Sequence, residues 1–225
     1  SPLSGYNQAQ IQRLARVQLS DDGKVEGTVK IGFYGLEAMD RRQKGSLTDA
    51  EGRKKLLEDE VRGWLPADSE VTLVGSPNWD DTEVHLAADF KISAPMAVGA
   101  GKRLLIPLHI FQVNNKPVFS SSERINPIYF WNLTREIDEV HIALPATLEV
   151  ESLPADDTLK LDYALYATNQ KRETPNTISA RRDRAVQRFH LGGTERGGGL
   201  VEHEDLGLGD ECLRDLEELT LCQRE

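Results

Sequence analysis

The sequence predicts a mainly β chain, an antiparallel β-sandwich-like fold with one helical insertion at about residues 48–64. Three observations carry that prediction. Apolar residues recur at every second position in many short segments, the period of a half-buried strand. Clusters of Gly, Pro, Asn and Asp separate those segments at the spacing of hairpins. One stretch alone switches to a helical period.

The elements follow in order. Ile11, Ala15, Val17 and Leu19 share one face of the first segment, opposite Gln12, Arg16, Gln18 and Ser20. Asp21-Asp22-Gly23 is a hairpin turn, because Gly tolerates the positive φ such turns require. Val25, Gly27, Val29, Ile31 and Phe33 then alternate with Lys24, Glu26, Thr28 and Lys30, which completes an antiparallel hairpin. Residues 36–45 suit a shorter helical turn. Thr48-Asp49-Ala50-Glu51 has the spacing of a capping box, with Thr48 at the N-cap. Leu57, Val61 and Trp64 recur at i, i+4 and i+7 after it, and Pro66 stops the helix.

Period two then returns. Glu70 to Val74 is a short strand, and Val84, Leu86, Ala88, Phe90 and Ile92 form an apolar face opposite Glu83, His85, Asp89 and Lys91. Leu104 to Phe111 is nearly all apolar and reads as a central strand. Val140, Ile142 and Leu144 alternate with Glu139 and His141. The pattern continues at Leu148 and Val150, through Leu159, Leu161, Tyr163 and Leu165, and again over Thr177 to Arg181. Turn signals at 114–117, Pro145, 154–157 and 175–176 separate these runs.

Composition narrows the function. A chain of 225 residues suits one large all-β domain or two small ones. No apolar run approaches the roughly 20 residues that a helical membrane span needs. The net charge of −10 argues against a nucleic-acid partner, since phosphates call for a cationic surface. Cys212 and Cys222 are the only cysteines, so the body holds no disulfide framework; a Cys212–Cys222 bridge and a free pair remain equal alternatives. Residues 1–7, opening Ser1-Pro2-Leu3 without a methionine, read as a processed start, a cloning remnant or a disordered end, and residues 8–184 as the β-sandwich-like domain. Residues 185–225 read as a Gly-rich acidic tail with ten Asp/Glu against four Arg, in which Leu213, Leu216 and Leu219 suit one face of a short helix.

Three stretches carry a family resemblance: "RVQLSDDGKVEGTVKIGFY" from Arg16, "ERINPIYF" from Glu123 and "REIDEVHIALPATLEVESLP" from Arg135. In that order and spacing they resemble the C-terminal β-rich region of bacterial transglutaminase-like proteins, a domain of unknown function that accompanies the transglutaminase core. The resemblance covers roughly residues 8–184. It implies an accessory β-sandwich of a periplasmic or secreted bacterial envelope protein. The family's Cys-His-Asp core is not in this sequence, so no catalytic residue carries over. From about Ala185 the sequence departs from the family's ending, as a frame-shifted or vector-encoded extension would.

Residues with chemical potential each have a structural alternative. Ser120, Ser121 and Ser122 lack the G-x-S-x-G elbow of a serine nucleophile and read as a polar strand edge. Arg124 reads as a loop anchor or a carboxylate binder through its five-donor fork. Trp79 beside Asp80, Asp81 and Glu83 combines a stacking ring with carboxylates, the mixture glycosidases use, yet the same residues make an ordinary turn. Tyr129 and Trp131 fall at i and i+2, the spacing of a stacking strip on a strand. Asp138, Glu139, Glu149 and Glu151 read as solvated strand faces. No two of the five histidines have the H-E-x-x-H spacing, and no metal or other cofactor is expected. Gly192 to Gly199 lacks the ending of a phosphate loop and reads as a linker.

The expectation is therefore a non-catalytic accessory domain whose partner is a protein, a peptide or a glycan. The competing expectation is a hydrolase, a glycoside hydrolase with paired carboxylates among Asp80, Asp81 and Glu83.

Overall fold

A computed structural model describes residues 9–101, 103–114, 128–129, 133–161, 164–186, 200–201 and 218–223. Its strands are β1 (Ala9–Leu19), β2 (Lys24–Gly35), β3 (Glu70–Val74), β4 (Leu86–Pro95), β5 (Val98–Ala100), β6 (Arg103–Pro107), β7 (Ile128–Tyr129), β8 (Arg135–Ala143), β9 (Leu148–Ser152), β10 (Asp157–Lys160), β11 (Ala164–Thr174), β12 (Thr177–Val186), β13 (Leu200–Val201) and β14 (Glu218–Gln223). Helices α1 (Leu36–Ser46) and α2 (Ala50–Trp64) lie between β2 and β3. The molecule is mainly β and sandwich-like, as its alternating pattern predicts. An eight-stranded sheet in the order β10-β11-β12-β8-β1-β2-β4-β3 is layered with the two helices and a four-stranded sheet in the order β5-β6-β14-β9.

The β1–β2 hairpin forms where the alternation placed it, in register from Ala9↔Gly35 to Leu19↔Val25. Its turn works because Gly23 holds φ at 85° and donates to Ser20 O. The Gly23 carbonyl accepts from Met96 and Ala97, and a Cβ there would come within 2.8 Å of the Ala97 side chain. The large sheet is not wholly antiparallel. β8 runs parallel to β1, from Gln10↔Arg135 to Gln18↔Ala143, and antiparallel to β12. A long excursion separates β1 from β8, which is what lets the chain return in the same direction.

One inner face builds the core. Ala15, Val17, Val29, Ile31, Phe33, Phe90, Val140, Ile142 and Ile178 join Leu57, Val61 and Leu65 from α2 and Ile106, Leu219 and Leu221 from the small sheet in one buried cluster.

The structure corrects several local expectations. Among the described residues there are two helices: the stretch read as a shorter helical turn over 36–45 is a full helix, α1. It buries only Ala38, Arg41 and Gly45, a narrow and polar stripe. Arg41 is held there by Glu37, by Glu60 of α2 and by the Phe33 ring, 4.0 Å from its guanidinium carbon. α2 begins at Ala50, and its N-cap is Asp49, not Thr48: the Asp49 carboxylate accepts from Gly52 N at 2.8 Å. The apolar run 104–111 does not stay extended; β6 ends at Pro107, and Ile110–Gln112 is a 3-10 turn. The run 159–165 breaks into β10 and β11, between which Leu161 and Ala164 exchange backbone hydrogen bonds. Leu219 lies on a strand, not a helix. β14 pairs with both β6 and β9 and buries Leu219 and Leu221 completely.

Candidate functional site

Three places hold the polar groups that matter, and the first was not foreseen. Arg13 lies in phase with Ile11 and Ala15 on the inner face of β1. Asp138 lies in phase with Val140 on β8, and Arg182 with Ala180 on β12. Register sets them side by side, Arg13↔Asp138 and Arg182↔Asp138, so a charged row crosses three adjacent strands. Arg13 Nε donates to Asp138 Oδ1 at 2.6 Å, and Arg182 Nε donates to Asp138 Oδ2 at 2.9 Å. Glu136 accepts from Arg13 Nη2 at 2.7 Å and from Arg182 Nη2 at 2.8 Å. Arg13, Asp138 and Arg182 are each no more than 3% exposed. Asp138, expected on a solvated face, is thus fully enclosed.

This cluster is internally neutral, two guanidinium groups against two carboxylates, which is the condition for burying charge. Burial works to raise the Glu136 carboxyl, but Arg13, Arg182 and Arg184 outweigh it and bring it down to about 2. Burial likewise opposes the Arg182 charge, and Asp138 and Glu136 overcome it, so that its pKa is raised. Aromatic groups roof the row: the Arg13 guanidinium carbon lies 4.5 Å from the Trp64 ring centre and 5.3 Å from that of Phe111. His109 sits beside it, 1% exposed. Among the described residues neither of its ring nitrogens has a hydrogen-bond partner.

The second place is the outer face of the same strands. Arg16 and Gln18 of β1, Glu26 and Thr28 of β2, His141 of β8 and Thr177 of β12 line a shallow groove of about 580 Å³. Its floor is backbone: a Cβ at Gly27 would come within 2.1 Å of the Arg16 carbonyl oxygen, so β1 and β2 approach closely only because Gly27 lacks one. His141 is oriented from both sides, with Nε2 2.8 Å from Glu139 and Nδ1 3.4 Å from Glu173. Desolvation raises the Glu173 carboxyl, and the Ser179 hydroxyl and His141 more than offset it, leaving it below its usual range. The groove offers guanidinium, amide and hydroxyl donors beside carboxylate acceptors, the equipment for holding a polar ligand.

The third place is the loop nominated by sequence. Asp80, Asp81 and Glu83 are exposed, and Asp81 Oδ1 accepts from Glu83 N at 3.1 Å, an Asx-type turn. Arg42 of α1 donates to the carbonyls of Trp79 at 3.1 Å, Asn78 at 3.2 Å and Val84 at 3.1 Å, and also to that of Asp81. Asn78 ties the loop to β4 by donating to His85 O and accepting from Ala87 N, both at 2.9 Å. Trp79 is half-buried over α1, where a Cβ on Gly45 would come within 2.7 Å of its ring, and Arg53 approaches that ring to 5.7 Å. His85 stacks on Tyr34 at 4.5 Å.

Other nominated residues fall elsewhere. Arg124, Trp131 and the serines at 120–122 lie outside the described residues, as does Cys212. Tyr129 is on β7, paired with Leu200, but its side chain lies outside the description. Cys222 donates to Glu149. Among the described residues no group of three or more His, Cys, Asp and Glu is placed to hold a metal, and no helix is long and apolar enough to cross a membrane. No family model, curated protein or solved structure matches the chain. What the fold and these sites define is a mainly β protein with a buried ionic row on one sheet face and a polar groove on the other.

Proposed function

We propose that this chain is a non-catalytic accessory module that binds a polar peptide segment in the outer groove of β2, β1, β8 and β12. The observation that carries this reading is the groove itself, which mixes Arg16, Glu26 and an oriented His141 with hydroxyl and amide groups. A peptide suits it better than a glycan, because none of the lining residues is Phe, Tyr or Trp and sugar rings favour such an aromatic face. The resemblance to envelope transglutaminase-like proteins supports the accessory role and a periplasmic or secreted setting. The bond from Glu83 N gives the Asp81 carboxylate a structural purpose that needs no chemistry.

The test is a paired one. Peptide and glycan arrays are probed with the protein and with its Arg16→Ala/His141→Ala variant, and a panel of glycosides, esters and peptides is assayed for turnover alongside Asp80→Asn/Asp81→Asn. Saturable peptide binding that the first variant loses, with no turnover, is the expected result. Turnover abolished by the aspartate changes would overturn it in favour of a glycoside hydrolase centred near Trp79. Glycan binding lost in the first variant would replace the peptide with a sugar.

A further inference from the structure

His109 is a fully buried imidazole that the groove does not use. It follows β6 and immediately precedes the Ile110–Gln112 turn. Its carbonyl accepts from Gln112 N at 2.9 Å, so its backbone closes that turn. The turn carries Phe111, whose ring meets the edge of Trp64 at 6.1 Å and lies over Arg13. One short segment therefore links the histidine, the aromatic roof and the buried ionic row.

We propose that His109 is an acid-sensitive latch: its neutral form lets the 109–113 segment seat Phe111 and Trp64 over the Arg13–Asp138–Arg182 row, and its protonation releases that segment. The geometry supplies the reason. Arg182 of β12 and Asp138 of β8 act directly on the ring; Arg13 of β1 and Glu136 of β8 complete the same cluster, and the α2 contact there is the uncharged Trp64. Arg13 and Arg182 already balance the two carboxylates, and the half-exposed Arg184 of β12 adds a further guanidinium 3.5 Å from Glu136. A proton on His109 adds another cation to this enclosed set, and among the described residues neither ring nitrogen has a hydrogen-bond partner to stabilise it. Burial first, and Arg182 second, hold the imidazole at about 4, against the weaker pull of Asp138.

The sign follows directly. The folded-state value lies below the unfolded one, so the neutral form stabilises the closed state above about 6.5, and that stability drains as pH falls through the window towards about 4. Glu136 stays ionised throughout that window, so the Glu136 carboxylate is not the source of the change.

Amide hydrogen exchange, expressed as protection factors for residues 109–113 and the last turn of α2, tests this at a series of pH values from 7.5 down to 4.0. In the native sequence protection should fall by roughly 100-fold or more across the window, the size expected for one proton taken up with a shift of this magnitude. In His109→Leu and His109→Gln, which cannot titrate, it should stay flat. An equal fall in native and variant proteins would overturn the proposal. Should neither variant fold, an NMR titration of the His109 ring in the native protein decides: a midpoint near 4 supports the latch, and one near 6.5 removes it.

Discussion

Two ion pairs on neighbouring positions of the same two strands make an instructive contrast. Arg182 and Asp138 face inward, 2.8 Å apart, with side chains 2% and 0% exposed. Arg181 and Glu139, one residue along on β12 and β8, face outward 3.8 Å apart, with side chains 53% and 43% exposed. Residue chemistry and strand partners are nearly the same. The pleat alone separates them, and with it the energetic role. Inside, each charge depends on its partners because water cannot replace them. Outside, water and salt stand in for either partner, and the pair contributes little to stability.

The largest test of that contrast is removal of the shared acid. Asp138→Ala leaves Arg13 and Arg182 enclosed with Glu136 alone, and should cost about 3–5 kcal/mol in urea unfolding. Glu139→Ala should cost less than about 1 kcal/mol by the same measurement. Equal losses would dissolve the distinction between the faces.

Next comes the small sheet that closes the core. Leu221→Ala should destabilise by about 2–5 kcal/mol, the range for an enclosed leucine. A negligible loss would detach β14 from the core and leave the inner face less well covered.

Acid should separate the faces further. The folded-state value of Glu136, about 2, lies below its ordinary 4.5, so its contribution is complete above about pH 4.5 and is lost as pH falls towards 2. That contribution is about 3 kcal/mol at most. Glu136→Gln should reduce the slope of stability against pH in this range, most of which lies below the window assigned to His109. A modest effect belongs to a position remote from both faces: Asp49→Ala, which deletes the α2 cap, should cost about 1 kcal/mol, read as a shift in the urea midpoint.

Much of the architecture was legible because it rests on local periodicity. The β1–β2 hairpin, β3, β4 and the body of α2 follow from alternation, turn residues and i, i+4 spacing. α1 was legible only as a shorter helical turn because its buried stripe contains an arginine and a glycine. The strand predicted over 104–111 ended early because an apolar run does not say where the chain bends; Pro107 and the 3-10 turn decide it. The buried row had a signal that went unread. Arg13, Asp138 and Arg182 each interrupt an apolar face in phase with it, and three such interruptions on three strands mark an internal charge cluster. The groove had no comparable signal, since polar residues on an outer face are the rule.

By itself, then, the sequence determined the β1–β2 hairpin and its turn, β3, β4, the body of α2 and the inward face of those strands. Those properties depend on neighbours within a few residues. Only the tertiary structure decided that β8 lies parallel to β1 and that β14 returns to the small sheet. It also decided that Asp138 meets two arginines and that His109 is enclosed beside them. Each of these depends on pairing between segments tens of residues apart, where register, not local preference, chooses which side chains meet.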